Sequence, residues 1–284
     1  QEVAKALADG DESAIAAALI LASTRDFVLS SIRGYIEPLL IFCIYLALYY
    51  FLKNLKNQKS KLLPLLSATA VAAAMFSKGP VALWPMVFII IYAFIYFDRD
   101  LFKKTFFPRF VIGLGIWSLL FIIWVTRTNS WDSWSEYFYK QVLGSALQGR
   151  NGAQSLEPLY FGKILLKYYW PWLPFLIFSI FRSIKSWRKP IPNVSIFIFG
   201  FIFVLTFSLM KWKFWYYIAP AYPAFAILIA SALQNRLGFL KNSKIQNSIT
   251  AIGFAAFSIL TIFTVPVHRE RAAEVLAFRE EINE

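Results

Sequence analysis

Two long apolar runs without a single charge constrain this chain more than any other feature. Leu62 to Phe76 (LLPLLSATAVAAAMF) and Val81 to Phe97 (VALWPMVFIIIYAFIYF) are separated only by Ser77-Lys78-Gly79-Pro80. A helix needs about 17–25 mostly apolar residues to cross a bilayer, and several stretches of this chain reach that length. In lipid every backbone polar group must be paired internally, so helices are the form such spans take. Only 16% of the 284 residues are charged, whereas 58% are hydrophobic. The expected fold class is all-α, a polytopic transmembrane helical bundle. Lys78 then falls at the edge of the bilayer, beside a glycine that lets backbone approach and a proline that starts the next helix. A cation fixed there suits an anionic headgroup such as a phosphate. It equally suits a lysine snorkelling out of an ordinary hairpin turn.

The net charge of +13 does not point to nucleic acid, because the basic residues gather in short loops between spans. Lys53, Lys56, Lys59 and Lys61 form one such loop; Arg99, Lys103, Lys104 and Arg109 form the next. Arg182, Lys185, Arg188 and Lys189 make a third, and Arg236, Lys241 and Lys244 a fourth. About nine spans put all four on one side, which the positive-inside rule makes cytoplasmic. The first span is weak, Ala14 to Ile32, and is interrupted by Arg25 and Asp26, whose adjacency reads as an ion pair near the outer interface. The lone cysteine, Cys43, sits in an apolar run and can form no intrachain disulfide. Residues 1–267 read as the membrane core. Residues 268–284 read as the start of an extracytoplasmic segment. The chain opens on Gln1 without a basic n-region and cleavage site, so it reads as incomplete at its N-terminus.

Residues 127–168 form the one long external loop. Trp131, Trp134, Tyr137, Phe138 and Tyr139 interleave with Asp132, Glu136 and Lys140, the composition of a helix lying in the interface. A polar stretch around Arg150 follows, and Lys167 to Trp172 reads as an aromatic belt returning to the membrane. Loops this long are functional or disordered, and the aromatic content argues against disorder.

The remaining unusual charges all fall on the non-cytoplasmic face: Arg33, Glu37, Lys78, Arg150, Lys211 and Lys213. Each alone fits an interfacial anchor. Together, several cations around one carboxylate describe a site for an anionic, partly lipidic ligand. Glu37 reads first as the ion-pair partner of Arg33, with general base and metal ligand as the other roles. His268 is the only histidine, which excludes a His-based metal cluster. There is no Gly-rich phosphate loop and no G-x-S-x-G.

Four stretches carry a family resemblance. Lys78-Gly79-Pro80 resembles the Lys-Gly-Pro element of polyprenyl-phosphate-dependent glycosyltransferases. These are the membrane-embedded GT-C class, which includes protein O-mannosyltransferases and lipid A aminoarabinose transferases. Arg33-Gly34-Tyr35-Ile36-Glu37-Pro38-Leu39-Leu40 resembles a turn where the family carries an acid, usually Asp, before its next helix. Tyr168 through Pro174 resembles its Pro-Trp segment after the long external loop. Ser208-Leu209-Met210-Lys211 through Tyr216-Tyr217 to Pro223-Ala224 resembles its Ser-x-x-Lys…Tyr-x-x-Pro-x-x-Pro-Ala element.

The resemblance implies transfer of a sugar from a polyprenyl-phosphate donor to a lipid or protein acceptor. It places the reaction at the outer, periplasmic face of a bacterial inner membrane. Lys78, Arg150 and Lys211 or Lys213 would clamp the lipid phosphate, Tyr217 would donate a hydrogen bond to it, and Arg33 would belong to the same substrate site. The segment 131–139 would shape the cleft where the donor enters. The family's catalytic aspartate lies in a first external loop upstream of Gln1, so this stretch alone is expected to be inactive, with Glu37 at most an accessory. One branch binds a metal through a histidine in the long loop. Here Arg150 to Pro158 offers Gln154, Ser155 and Glu157, which leaves a divalent metal without a histidine to hold it. The rival readings are a secondary transporter or flippase, and a non-catalytic lipid-binding membrane protein. Transporters place ionisable groups near the midplane, whereas here they collect at one rim.

Overall fold

The structure, a computed structural model, describes residues 10–56, 60–96, 106–144, 159–185, 192–210 and 213–237. The chain divides into two units, Gln1–Gln234 and Asn235–Glu284, and the described residues belong to the first apart from the end of the last helix.

Those residues form helices and turns. In order they are α1 (Gly10–Ala22), α2 (Arg25–Ile32), α3 (Glu37–Lys56), α4 (Leu62–Lys78), a 3-10 turn (Gly79–Leu83) and α5 (Trp84–Tyr96). Then come α6 (Phe107–Arg127), α7 (Trp131–Tyr137) with a π-helical extension (Phe138–Gly144), α8 (Tyr160–Tyr168) and α9 (Leu173–Lys185). The last are α10 (Pro192–Leu209), a second 3-10 turn (Trp215–Ala221) and α11 (Tyr222–Leu237).

The expected first span is two helices. Ser23 Oγ and Thr24 Oγ1 both donate to the Ile20 carbonyl, at 2.9 Å each. Thr24 takes extended backbone, and the chain restarts as α2. Hydroxyls that bond back to the preceding turn compete with the helix in this way. Among the described residues three runs are long and apolar enough to cross a bilayer: Glu37–Leu55, Phe107–Arg127 and Trp215–Leu233. A fourth arises if Tyr160–Tyr168 and Leu173–Ile184, bent by 119°, count as one broken span. Leu62–Lys78, Val81–Ile90 and Ile198–Leu209 are shorter apolar helices.

Small residues decide how closely the helices approach. Lipid is as apolar as leucine, so membrane helices associate through tight packing and buried hydrogen bonds. On α4 Ala68, Ala70, Val71 and Ala74 are buried in one core with Ile44, Ala47 and Phe51 of α3. Ser67 Oγ crosses to the Ala47 carbonyl at 2.9 Å. On the other side Gly113 of α6 meets α4 so closely that a Cβ there would lie 2.7 Å from that of Ala68. A second core gathers Phe203 and Phe207 of α10, Ile218 to Tyr222, and Tyr169 from the bend between α8 and α9. Most of α6 faces outward, with Ile116, Leu119, Leu120 and Ile123 about half exposed, as a lipid-facing helix would be.

Candidate functional site

Lys78 is the last residue of α4, and Gly79 breaks the helix there. Gly79 has φ +68°, a conformation L side chains rarely adopt, and a Cβ would stand 3.4 Å from Tyr137 Oη. The sequence Lys-Gly-Pro thus ends one helix and starts the next turn in a space bounded by the α7 tyrosine.

The lysine side chain is held by three others. Its Nζ donates to Glu37 Oε1, at the first turn of α3. It also lies 5.1 Å from the ring centre of Tyr216 and 5.4 Å from that of Tyr217, both on the second 3-10 turn. Glu37 is 4% exposed. A carboxylate so buried needs a paired cation, and a cation over ring faces is further stabilised by their quadrupoles. The sequence reading made Arg33 the first partner of Glu37. The structure corrects this: Glu37 pairs with Lys78, and the Arg33 guanidinium lies 5.9 Å from the ring centre of Trp215. Glu37 opens α3 while Arg33 closes α2, so the intervening turn points them to different neighbours.

Beside this cluster lies a cleft of about 540 Å³, lined by Phe76, Trp117, Phe121, Trp134 and Tyr137 among others, and by Gly79 itself. Trp134 of α7 meets Phe121 of α6 edge to face at 4.9 Å. The aromatic segment expected to lie in the interface therefore roofs an apolar cleft whose wall includes the lysine turn.

Against known families, residues 2–126 match the model described as dolichyl-phosphate-mannose-protein mannosyltransferase. An uncharacterized protein of Aquifex aeolicus (strain VF5) is 26% identical over 266 residues, covering 92% of this chain and 51% of the relative. Among solved structures, ArnT from Cupriavidus metallidurans bound to undecaprenyl phosphate superposes with a TM-score of 0.67 at 18% identity. That match covers 87% of this chain and 44% of ArnT. The apo state of the same protein gives a TM-score of 0.65. The chain thus resembles GT-C membrane glycosyltransferases in sequence over residues 2–126 and in fold over most of its length. The chain spans about half the length of these relatives, or somewhat less.

Two of the four GT-C stretches, Arg33–Leu40 and Lys78–Pro80, lie within the family match; the other two lie beyond it, within the chain's longer likeness to relatives. Of the site residues expected from sequence, the structure brings Lys78, Glu37 and Tyr217 together and sets Arg33 over the same tyrosine-bearing turn. Lys213 is buried just before that turn. Arg150 and Lys211 lie outside the described residues, as do Gln154, Ser155, Glu157 and His268. Among the described residues no three His, Cys, Asp or Glu side chains gather as a metal site would require, and the carboxylate of this site already faces an ammonium. Sequence reasoning missed Tyr216 as a site residue, although it stands beside Tyr217. It placed Tyr137 in the segment expected to shape the cleft but not against Gly79, which is remote in sequence.

Proposed function

We propose that this chain carries the phosphate-binding part of a membrane glycosyltransferase that uses a polyprenyl-phosphate-linked sugar. The sugar passes to a lipid or protein acceptor at the outer face, in a bundle of about nine spans. The observation that carries this reading is the Lys78 ammonium, fixed by Glu37 and two tyrosine faces, beside an aromatic, apolar cleft. In such a transfer the bond from the anomeric carbon to the phosphate oxygen breaks, and the acceptor oxygen or nitrogen bonds to that carbon. The leaving lipid phosphate gains charge as it departs, and a preorganised cation in a water-poor site stabilises that change. Lys78 has three N–H donors, so pairing with Glu37 still allows it to donate to a phosphate oxygen. Glu37 holds the ammonium in place. Tyr217, with Arg150, Lys211 or Lys213, completes the clamp, and the cleft under α7 receives the apolar chain. The acceptor's proton goes to a base that is none of these groups.

Binding of geranylgeranyl phosphate and geranylgeraniol to the purified protein tests the clamp. Wild type is expected to prefer the phosphate by at least tenfold, and Lys78→Met to lose that preference while keeping the alcohol. Lys78→Met/Glu37→Leu, which leaves no buried carboxylate behind, serves as the folded control. Equal affinity for phosphate and alcohol in wild type, or an unchanged preference in both variants, refutes the clamp. Phosphate binding without sugar transfer in membranes carrying the full-length protein would favour the non-catalytic lipid-binding reading.

A further inference from the structure

We infer that Asp26 is a positioning residue for this site, acting through Tyr222 to hold the turn that carries Tyr216 and Tyr217. The inference rests on the clamp reading above. Tyr222 Oη donates to Asp26 Oδ2 at 2.8 Å, joining α2 to the first residue of α11, and both residues are 1% exposed. Arg25 Nη1 lies 3.3 Å from the other carboxylate oxygen, and its guanidinium sits 4.0 Å from the ring centre of Tyr168. Tyr169 stacks on Tyr222, with centroids 5.4 Å apart and planes 25° from parallel. Trp172 Nε1 donates to Ser23 Oγ at 3.2 Å.

Tyr222 follows directly on the 3-10 turn Trp215–Ala221. The same turn is tied from a second side, where Tyr45 Oη of α3 donates to the Pro220 carbonyl at 2.9 Å. The α3 helix that presents Glu37 to Lys78 thus also fixes the far end of the tyrosine turn. Asp26 fixes the residue just after it. Both bonds pin the C-terminal end of the turn, at Pro220 and Tyr222, and the rings of Tyr216 and Tyr217 meet Lys78 from the part of the turn that leads into that anchored end.

Stability alone does not account for Asp26. An ionised carboxylate withdrawn from water is expensive even when paired, and well-packed apolar residues of similar volume often serve a core as well or better. What the carboxylate adds is direction. Its bond to Tyr222 selects one placement of the turn, whereas an apolar contact accepts several. It also joins the turn to Tyr168–Trp172, the segment that follows the long external loop in sequence.

The experiment uses three variants and reads two quantities, the Kd for geranylgeranyl phosphate and the Tm. Tyr222→Phe keeps the ring and its stack on Tyr169 but removes the hydroxyl. Asp26→Leu removes the acceptor, and Asp26→Asn keeps an acceptor for Tyr222 while losing the charge beside Arg25. Positioning predicts that Tyr222→Phe and Asp26→Leu weaken binding at least fivefold. It also predicts that Asp26→Asn binds within about twofold of wild type although its Tm falls. Affinity that simply follows Tm across the three variants, or that none of them changes, overturns the inference. A Lys78→Met protein that binds like wild type would overturn the clamp and this inference together. Loss of binding in Lys78→Met with normal binding in Tyr222→Phe would overturn this inference alone.

Discussion

Lys78 and Glu37 depend on each other because one of them is buried. Removing only the lysine leaves an ionised group out of water. Lys78→Met is therefore expected to destabilise the protein by about 3 kcal/mol, in the lower part of the range for broken buried pairs because the lysine is part-exposed. Lys78→Met/Glu37→Leu should recover most of that loss, since it removes the stranded charge. Thermal unfolding in detergent decides the matter, and a double variant no more stable than Lys78→Met would contradict this account. The pair between Glu136 of α7 and Lys140 of its π-helical extension is different in kind. The lysine's hydrogen bond and charge hold the Glu136 carboxyl below its usual range, so its contribution is present at neutral pH and fades as pH falls through that lowered value. Both side chains are well exposed, so water and salt screen the pair.

Among the elements, α4 is the one on which the site depends. Its buried alanines let α3 and α6 approach from two sides, and it delivers Lys78 at its end. Gly113→Leu is expected to push α6 away from Ala68 and to destabilise the bundle by about 1–3 kcal/mol, as overpacking does. The same change should disturb the cleft between α4, α6 and α7, measured as weaker binding of geranylgeraniol. Gly115→Leu has open space where its Cβ would go and should change neither quantity. Equal effects at 113 and 115 would contradict the assignment of α6 packing.

For the whole molecule, the proposed topology puts the loop 53–61 and the α7 segment on opposite sides of the membrane. Cys43 is buried, so the native protein gives a quiet background for thiol labelling. Ser60→Cys should react with a membrane-impermeant maleimide only after the cytoplasmic side is opened. Ser133→Cys, exposed on α7, should react in intact cells. Labelling of both from one side would overturn the topology and, with it, the outer-face reaction.

The membrane class, the helical content and the Lys-Gly-Pro junction were legible because they are local. Runs of apolar residues have one physical solution in lipid, and Gly79 followed by Pro80 ends a helix wherever it lies. The aromatic segment 131–139 was likewise legible as a helix from its own composition. The long-range choices were not. Which cation meets Glu37 depends on α3 packing against α4, and adjacency in sequence favoured Arg33 over the remote Lys78. The break at Ser23-Thr24 turned an expected span into two helices, because hydroxyl bonds to Ile20 outweighed the apolar run. Asp26 was visible as half of a pair with Arg25, yet its bond to Tyr222 joins residues at opposite ends of the described chain. Composition by itself determined that this protein must hide its backbone in helices. The tertiary structure decided which polar groups meet inside, because a buried charge takes the partner that packing brings to it.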